Sequence, residues 1–169
     1  MHLRKGFTAL LALGFLISGC TIEPRTDRGS TQTQDQERNR RQVIQPDGVA
    51  SLPIFSLAIR SGDLIFLSGQ LGAVPGESPP RVVEGGIEAE TRQTIENISA
   101  VLDAAGATLQ DLLKCTVFLA DIEDYEAMNA VYAEYFTSDP PARAALAGSG
   151  LALGALVELD CIAVAPSSG

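Results

Sequence analysis

The sequence predicts an α/β domain of the α+β kind over residues 42–165: a mixed sheet with two helices against one of its faces. Three observations carry this. Short apolar and β-branched runs suit half-buried strands, and two longer segments repeat their apolar residues at intervals of three and four, as amphipathic helices do. The runs then follow one another as β-β-β-α-β-α-β-β, an order that lays both helices on one side of a sheet. A stretch of this length, rich in Val, Ile, Leu and Ala, suffices for one hydrophobic core.

Arg41 to Gln45 is a possible first strand. Ile54 to Arg60 and Asp63 to Leu71 are joined by the turn-forming Ser61-Gly62-Asp63 and are expected to pair as a hairpin. A Gly/Pro-rich loop runs from Gly72 to Pro80. Within Ile87 to Ala105 the helical period is carried by Thr94, Ile95, Ile98, Val101, Leu102 and Ala105, and Gly106 stands where a helix would stop. Leu112 to Ala120 is strand-like. Asp124 to Phe136 returns to helical spacing through Met128, Val131, Tyr132 and Tyr135. Pro140-Pro141 precede two closing strands, Arg143 to Ala147 and Leu156 to Ala165, divided by the small-residue loop Gly148 to Gly154.

The last strand has two unlike faces. Val157, Leu159, Cys161 and Ala163 suit the helix side, whereas Leu156, Glu158, Asp160, Ile162 and Val164 mix carboxylates with large apolar groups. Such a face is neither a solvent face nor a dry core, and it is expected to meet another subunit.

Ahead of the domain stands a processing signal. Arg4 and Lys5 precede an apolar stretch, Phe7 to Ile17, that is too short to span a bilayer and closes on Ile17-Ser18-Gly19-Cys20. Small residues before a cysteine resemble the lipobox of bacterial lipoproteins. Residues 1–19 are therefore read as a signal peptide and Cys20 as the lipidation site and mature N-terminus, tied to the membrane by its lipid anchor. Thr21, standing where an acid would resemble an inner-membrane retention signal, makes the expected location the outer membrane, facing the periplasm. Residues 20–41 hold one large apolar side chain, Ile22, among charges and small polar groups, and read as a flexible tether.

The chain has 12 basic and 21 acidic residues, a formal net charge of −9. From Gln45 onward five basic residues, Arg60, Arg81, Arg92, Lys114 and Arg143, stand against seventeen acids, which argues against nucleic acid as a partner. The only histidine, His2, falls within the signal. The mature chain therefore lacks a Ser-His-Asp triad, a His-ligated zinc site and a histidine general base. Cys115 and Cys161 occupy separate strands without CxxC spacing and are expected as buried thiols on the core face, a disulfide being permitted outside the cytoplasm. Lys114 reads as a rim or interface charge rather than a Schiff-base lysine.

Three local features stand out for chemistry: Ser68-Gly69-Gln70, Asn129, and Pro141-Ala142-Arg143. SGQ after an apolar strand, a helix ending NAVYAEYF, then PARAAL, a glycine-containing loop and a terminal VELDCIAVA strand resemble, over about residues 52–165, the RidA family, also called YjgF or reactive-intermediate deaminases. The resemblance implies a chorismate-mutase-like fold assembled as a homotrimer, its three sheets forming a central barrel with helices outside and clefts between subunits. It implies hydrolysis of reactive enamines and imines to 2-keto acids and ammonia, with no metal and no organic cofactor. Arg143 matches the residue that pairs bidentately with the substrate carboxylate, and Asp160 the acid that activates water. Glu158 lies on the face of Asp160. Ser68, Gly69, Phe55, Asn129 and Ala145 complete the substrate-binding set.

Three departures qualify what carries over. Asp160 stands where the deaminases usually have Glu, which withdraws the carboxylate by roughly one bond, and a misplacement of about 1 Å can cost about a hundredfold in rate. Ala145 replaces a frequent cysteine, and Phe55 a tyrosine. A second expectation is therefore a non-catalytic trimeric module that binds small organic acids such as 2-keto acids. Without the motif series, Arg143 also reads as an ion-pair partner of Glu158 or Asp160 across the sheet.

Overall fold

The computed structural model describes residues 40–47, 49 and 53–166, so the signal segment, Cys20 and the tether as far as residue 39 lie outside the described residues. The elements follow in the order β1 (Gln42–Ile44), β2 (Ala58–Ser61), β3 (Leu64–Leu67), β4 (Gln70–Leu71), α1 (Gly86–Asp103), β5 (Leu112–Leu119), α2 (Tyr125–Tyr135), β6 (Ala142–Ala147) and β7 (Val157–Val164). This is the expected mixed α+β architecture. The strands are ordered β1-β2-β3-β7-β5-β6, with β4 also pairing β7. Only β5 and β6 run parallel; the other pairings are antiparallel.

The first hairpin is shorter than its apolar run. β2 and β3 pair from Ala58↔Leu67 to Ser61↔Leu64, but β1 offers partners only as far as Ala58, so Ile54 to Leu57 lack a ladder on that side. That segment is tied down by Ser68 instead, whose backbone N–H donates to the Leu57 carbonyl at 2.9 Å and whose Oγ donates to the Ser56 carbonyl at 2.7 Å. Both β3 and β4 line β7, yet three residues separate Phe66 from Gln70 where two separate Leu159 from Ile162. The extra residue makes a bulge at Ser68-Gly69, the kind of kink that turns backbone toward a site.

On α1, Thr94, Ile95, Ile98, Val101 and Leu102 are buried, as their spacing predicts. Gly106 takes a φ of 72°, and the Ala107 N–H closes the helix end onto the Leu102 carbonyl at 2.9 Å. Met128, Val131 and Tyr132 turn the inner face of α2 inward. Both helices cover one sheet face, where Ala58, Ile65, Leu67, Val117, Leu119, Val157, Leu159 and Ala163 complete the core. No helix among the described residues is long and apolar enough to cross a membrane.

The opposite sheet face is uncovered in the single chain. Val43, Ile59, Phe66 and Ile162 stand in one cross-strand row that continues through Lys114 to Ala142, and Leu71, Glu158, Phe118 and Leu146 in another. Phe66 and Leu146 remain 42% and 45% exposed there, which is much apolar surface to leave in water. Lys114, beside the edge strand β6, is exposed, as a rim charge would be.

The two domain cysteines are bonded to each other, not free. Cys115 and Cys161 are direct partners in the β5–β7 register, both point into the core, and their Cα atoms lie 4.1 Å apart. Strand spacing alone did not reveal that register. The crosslink spans a sequence separation of 46 residues. Replacing both cysteines by alanine is expected to lower unfolding stability by about 2–4 kcal/mol in urea titration, since the bond chiefly restricts the unfolded chain. An unchanged midpoint would remove that role.

Candidate active site

The sequence-selected residues gather into two groups on opposite faces of the sheet. Arg143, Cys115 and Cys161 share one cross-strand row, so Arg143 lies on the helix side of edge strand β6. Asp160 and Glu158 alternate with Cys161 and Leu159 and lie on the uncovered side of β7. Arg143 therefore cannot be their ion-pair partner within the chain. That reading of Arg143 is corrected by the register.

The acidic group is built around the bulge. Glu158 packs its carboxyl against Gly69 so closely that any β-carbon there would overlap it. Glycine is thus required by the approach of a carboxylate. Ser68, beside it, is held by its bonds to the 56–57 segment, and Phe55, 43% exposed, precedes that anchor. Burial, and after it the neighbouring Asp160 charge, holds the Glu158 carboxyl above its ordinary pKa. Asp160 is exposed on the same face.

Gly69→Ala tests this packing. The group it would strike is the far end of a flexible side chain, so the fold should tolerate it. The expected result is a change in stability below about 1 kcal/mol with kcat/KM lowered about ten- to a hundredfold, because the carboxylate is displaced. Full activity in a folded variant would remove Glu158 from the site.

The cationic group is built on α2. Tyr125, Asn129 and Tyr132 recur at i, i+4 and i+7 and form one stripe toward β6. The Arg143 guanidinium lies over the Tyr132 ring, 4.7 Å from its centroid, and 5.8 Å from that of Tyr125, and its Nη2 donates to the Tyr125 hydroxyl at 3.3 Å. Asn129 is the other polar partner of that hydroxyl; the asparagine and then the Arg143 charge hold Tyr125 below the ordinary tyrosine pKa. Ala145, two residues beyond Arg143 on the same side, is partly buried against the core.

Two contributors were missed from sequence. Tyr125 was passed over because it is exposed and outside the buried stripe of α2; its spacing to Asn129 was the available signal. Glu90 was the other. This nearly buried acid accepts the Leu156 N–H at 2.8 Å, fixing the entry to β7, and burial raises its pKa against that bond's lowering effect. Its position one turn before Thr94, on the apolar side of α1, was the sign of an acid turned inward.

Comparison with known proteins adds to this geometry. The family described as Endoribonuclease L-PSP matches residues 47–165. A RutC family protein, PH0854, of Pyrococcus horikoshii is 44% identical over 109 residues, covering 64% of this chain and 85% of that protein. A 2-iminobutanoate/2-iminopropanoate deaminase of Capra hircus is 40% identical over 125 residues, covering 74% and 90% respectively. Among solved structures, RidA from the Antarctic bacterium Psychrobacter sp. PAMC 21119 superposes with a TM-score of 0.67 at 35% identity, covering 73% of this chain and 98% of that one.

Proposed function

The chain belongs to the Endoribonuclease L-PSP family, the family of the RidA proteins, and on that premise we propose that it is a 2-iminobutanoate/2-iminopropanoate-type deaminase working as an exported homotrimer. The observation that carries the reading is the division of the site. One cationic half and one acidic half, on opposite faces of one sheet, make a complete cleft when the Arg143 edge of one copy meets the uncovered face of the next. The exposed apolar rows around Glu158 supply the surface such an assembly would bury. Despite the family's description, RNA is a poor substrate for a domain with seventeen acids against five basic residues.

In this cleft Arg143 takes the carboxylate of a 2-imino acid and holds its imine carbon toward the acids. Asp160 accepts a proton from water as the water oxygen bonds to that carbon. Glu158, with its raised pKa, donates a proton to the nitrogen. The carbon–nitrogen bond of the resulting tetrahedral adduct then breaks as Asp160 returns its proton to the amine and Glu158 takes the hydroxyl proton, leaving the 2-keto acid and ammonia with both acids restored. The chemistry asks for no redox partner.

Export and a lipid anchor on Cys20 belong to the same proposal. The Cys115–Cys161 disulfide supports them, because such bonds persist in oxidising compartments outside the cytoplasm. The test of the activity is to generate 2-iminopropanoate from alanine with an amino-acid oxidase and follow its loss against a trapping reagent. Accelerated appearance of pyruvate is expected. No acceleration across several amino acids would leave the organic-acid binding module as the better reading, favoured by the shortened acid at Asp160.

A further inference from the structure

Arg143 is half-buried on an edge strand and forms no ion pair among the described residues. A guanidinium on a long stem has many ways to point, and a carboxylate must find it in one of them. We propose that Tyr125 is a positioning residue for substrate binding: its hydroxyl holds one edge of the Arg143 guanidinium so that the remaining edge faces the substrate carboxylate. This inference rests on the reading of Arg143 as the carboxylate-binding group.

The contacts fit a clamp. The Tyr132 ring lies against the guanidinium at 4.7 Å and limits its tilt, while the 3.3 Å bond from Nη2 to the Tyr125 hydroxyl limits its rotation. Asn129, one turn along α2 from Tyr125, fixes that hydroxyl in turn. What holds the arginine is a neutral phenol, although Asp124 and Glu126 flank Tyr125 and neither pairs with Arg143. An acid in that position would neutralise the cation and compete with an anionic ligand. A phenol orients it and leaves the charge available.

The same logic predicts a pH signature. Once Tyr125 ionises, its phenolate pairs with Arg143 and opposes a bound carboxylate. The groups that face it are Arg143 from β6 and, on its own helix, Tyr132, with Asp124 and Glu126 beside it; the Asp124 charge in turn helps raise the Glu90 carboxyl of α1. Burial pushes the Tyr132 hydroxyl up. Tyr125, held below the ordinary value of 10.0, is the first tyrosine in this stripe to lose its proton.

The experiment is calorimetric titration of the purified protein with pyruvate from neutral to alkaline pH, for the wild type, Arg143→Ala and Tyr125→Phe, with kcat and KM for 2-iminopropanoate alongside. Tyr125→Phe is expected to weaken pyruvate binding about five- to tenfold at neutral pH, raise KM similarly and change kcat less than about twofold. The wild type should lose affinity as pH climbs toward 10 and Tyr125→Phe should lose less. Wild-type affinity and an unaltered alkaline loss in Tyr125→Phe would overturn the inference while leaving the role of Arg143 intact. Absence of pyruvate binding in the wild type, or its survival in Arg143→Ala, would overturn both.

Discussion

Arg143→Ala is expected to lower kcat/KM for 2-imino acids about a hundred- to a thousandfold and to abolish measurable 2-keto acid binding. A bidentate guanidinium–carboxylate pair contributes two charge-assisted hydrogen bonds, and hydrogen bonds to charged groups contribute about 1.5–3 kcal/mol each. Their loss also frees the imine carbon to drift from the acids, so kcat should fall together with affinity. The fold should be little affected, because Arg143 has no buried charged partner to strand and its contacts are the exposed Tyr125 hydroxyl and the face of the buried Tyr132 ring. The imine-trapping assay measures the rate and a thermal melt checks the fold. Activity within about threefold of wild type, in a protein with an unchanged melt, would remove Arg143 from the mechanism. Arg143→Lys should recover only part of the loss, since an ammonium keeps the charge but not the two-point geometry.

The second large effect is a recovery. Arg143→Ala and Asp160→Asn should each be nearly inactive alone, yet an equal mixture of the two, reassembled at random into trimers, should regain about a quarter of the wild-type rate per cleft. The reason is geometric. If a cleft takes its arginine from one copy and its acid from the next, random mixing at equal amounts leaves one cleft in four with both groups intact. A site completed within one chain would give no recovery at all. Subunit exchange, confirmed by native mass spectrometry, followed by the imine assay distinguishes the two cases. Persistent inactivity in verified mixed trimers would refute the shared cleft.

Much of this architecture was legible in the sequence, and what was not has a physical reason. The buried stripe of α1 from Thr94 to Leu102, the two-faced β7 and the two helices set among strands along the chain all followed from side-chain period, because burial of one face dictates period; the order of the strands across the sheet did not. Strand limits were less readable: Ile54 to Leu57 is apolar enough to be strand, but ladder formation depends on a partner that only the tertiary fold provides. The disulfide depended on the β5–β7 register in the same way. At the site, the ordered motifs marked Arg143, Glu158, Gly69 and Asn129. They did not reveal that the cationic and acidic groups part to opposite faces, which is a property of pairing and not of any one strand. Tyr125 escaped notice because its contribution is a single hydroxyl on an exposed ring.

The position of β7 has a consequence for how the protein is made. It is the last of the described strands and yet lies inside the sheet, between β3 and β5, with Leu64 paired to Val164 across a hundred residues of sequence. The sheet therefore cannot close before β7 has emerged, and the earlier strands must wait until then with their apolar faces open. A nascent chain of this kind stays open until β7 has been made. That is a hazard in a crowded cytoplasm, but it is also the condition in which a polypeptide can be threaded through a narrow membrane channel before it folds.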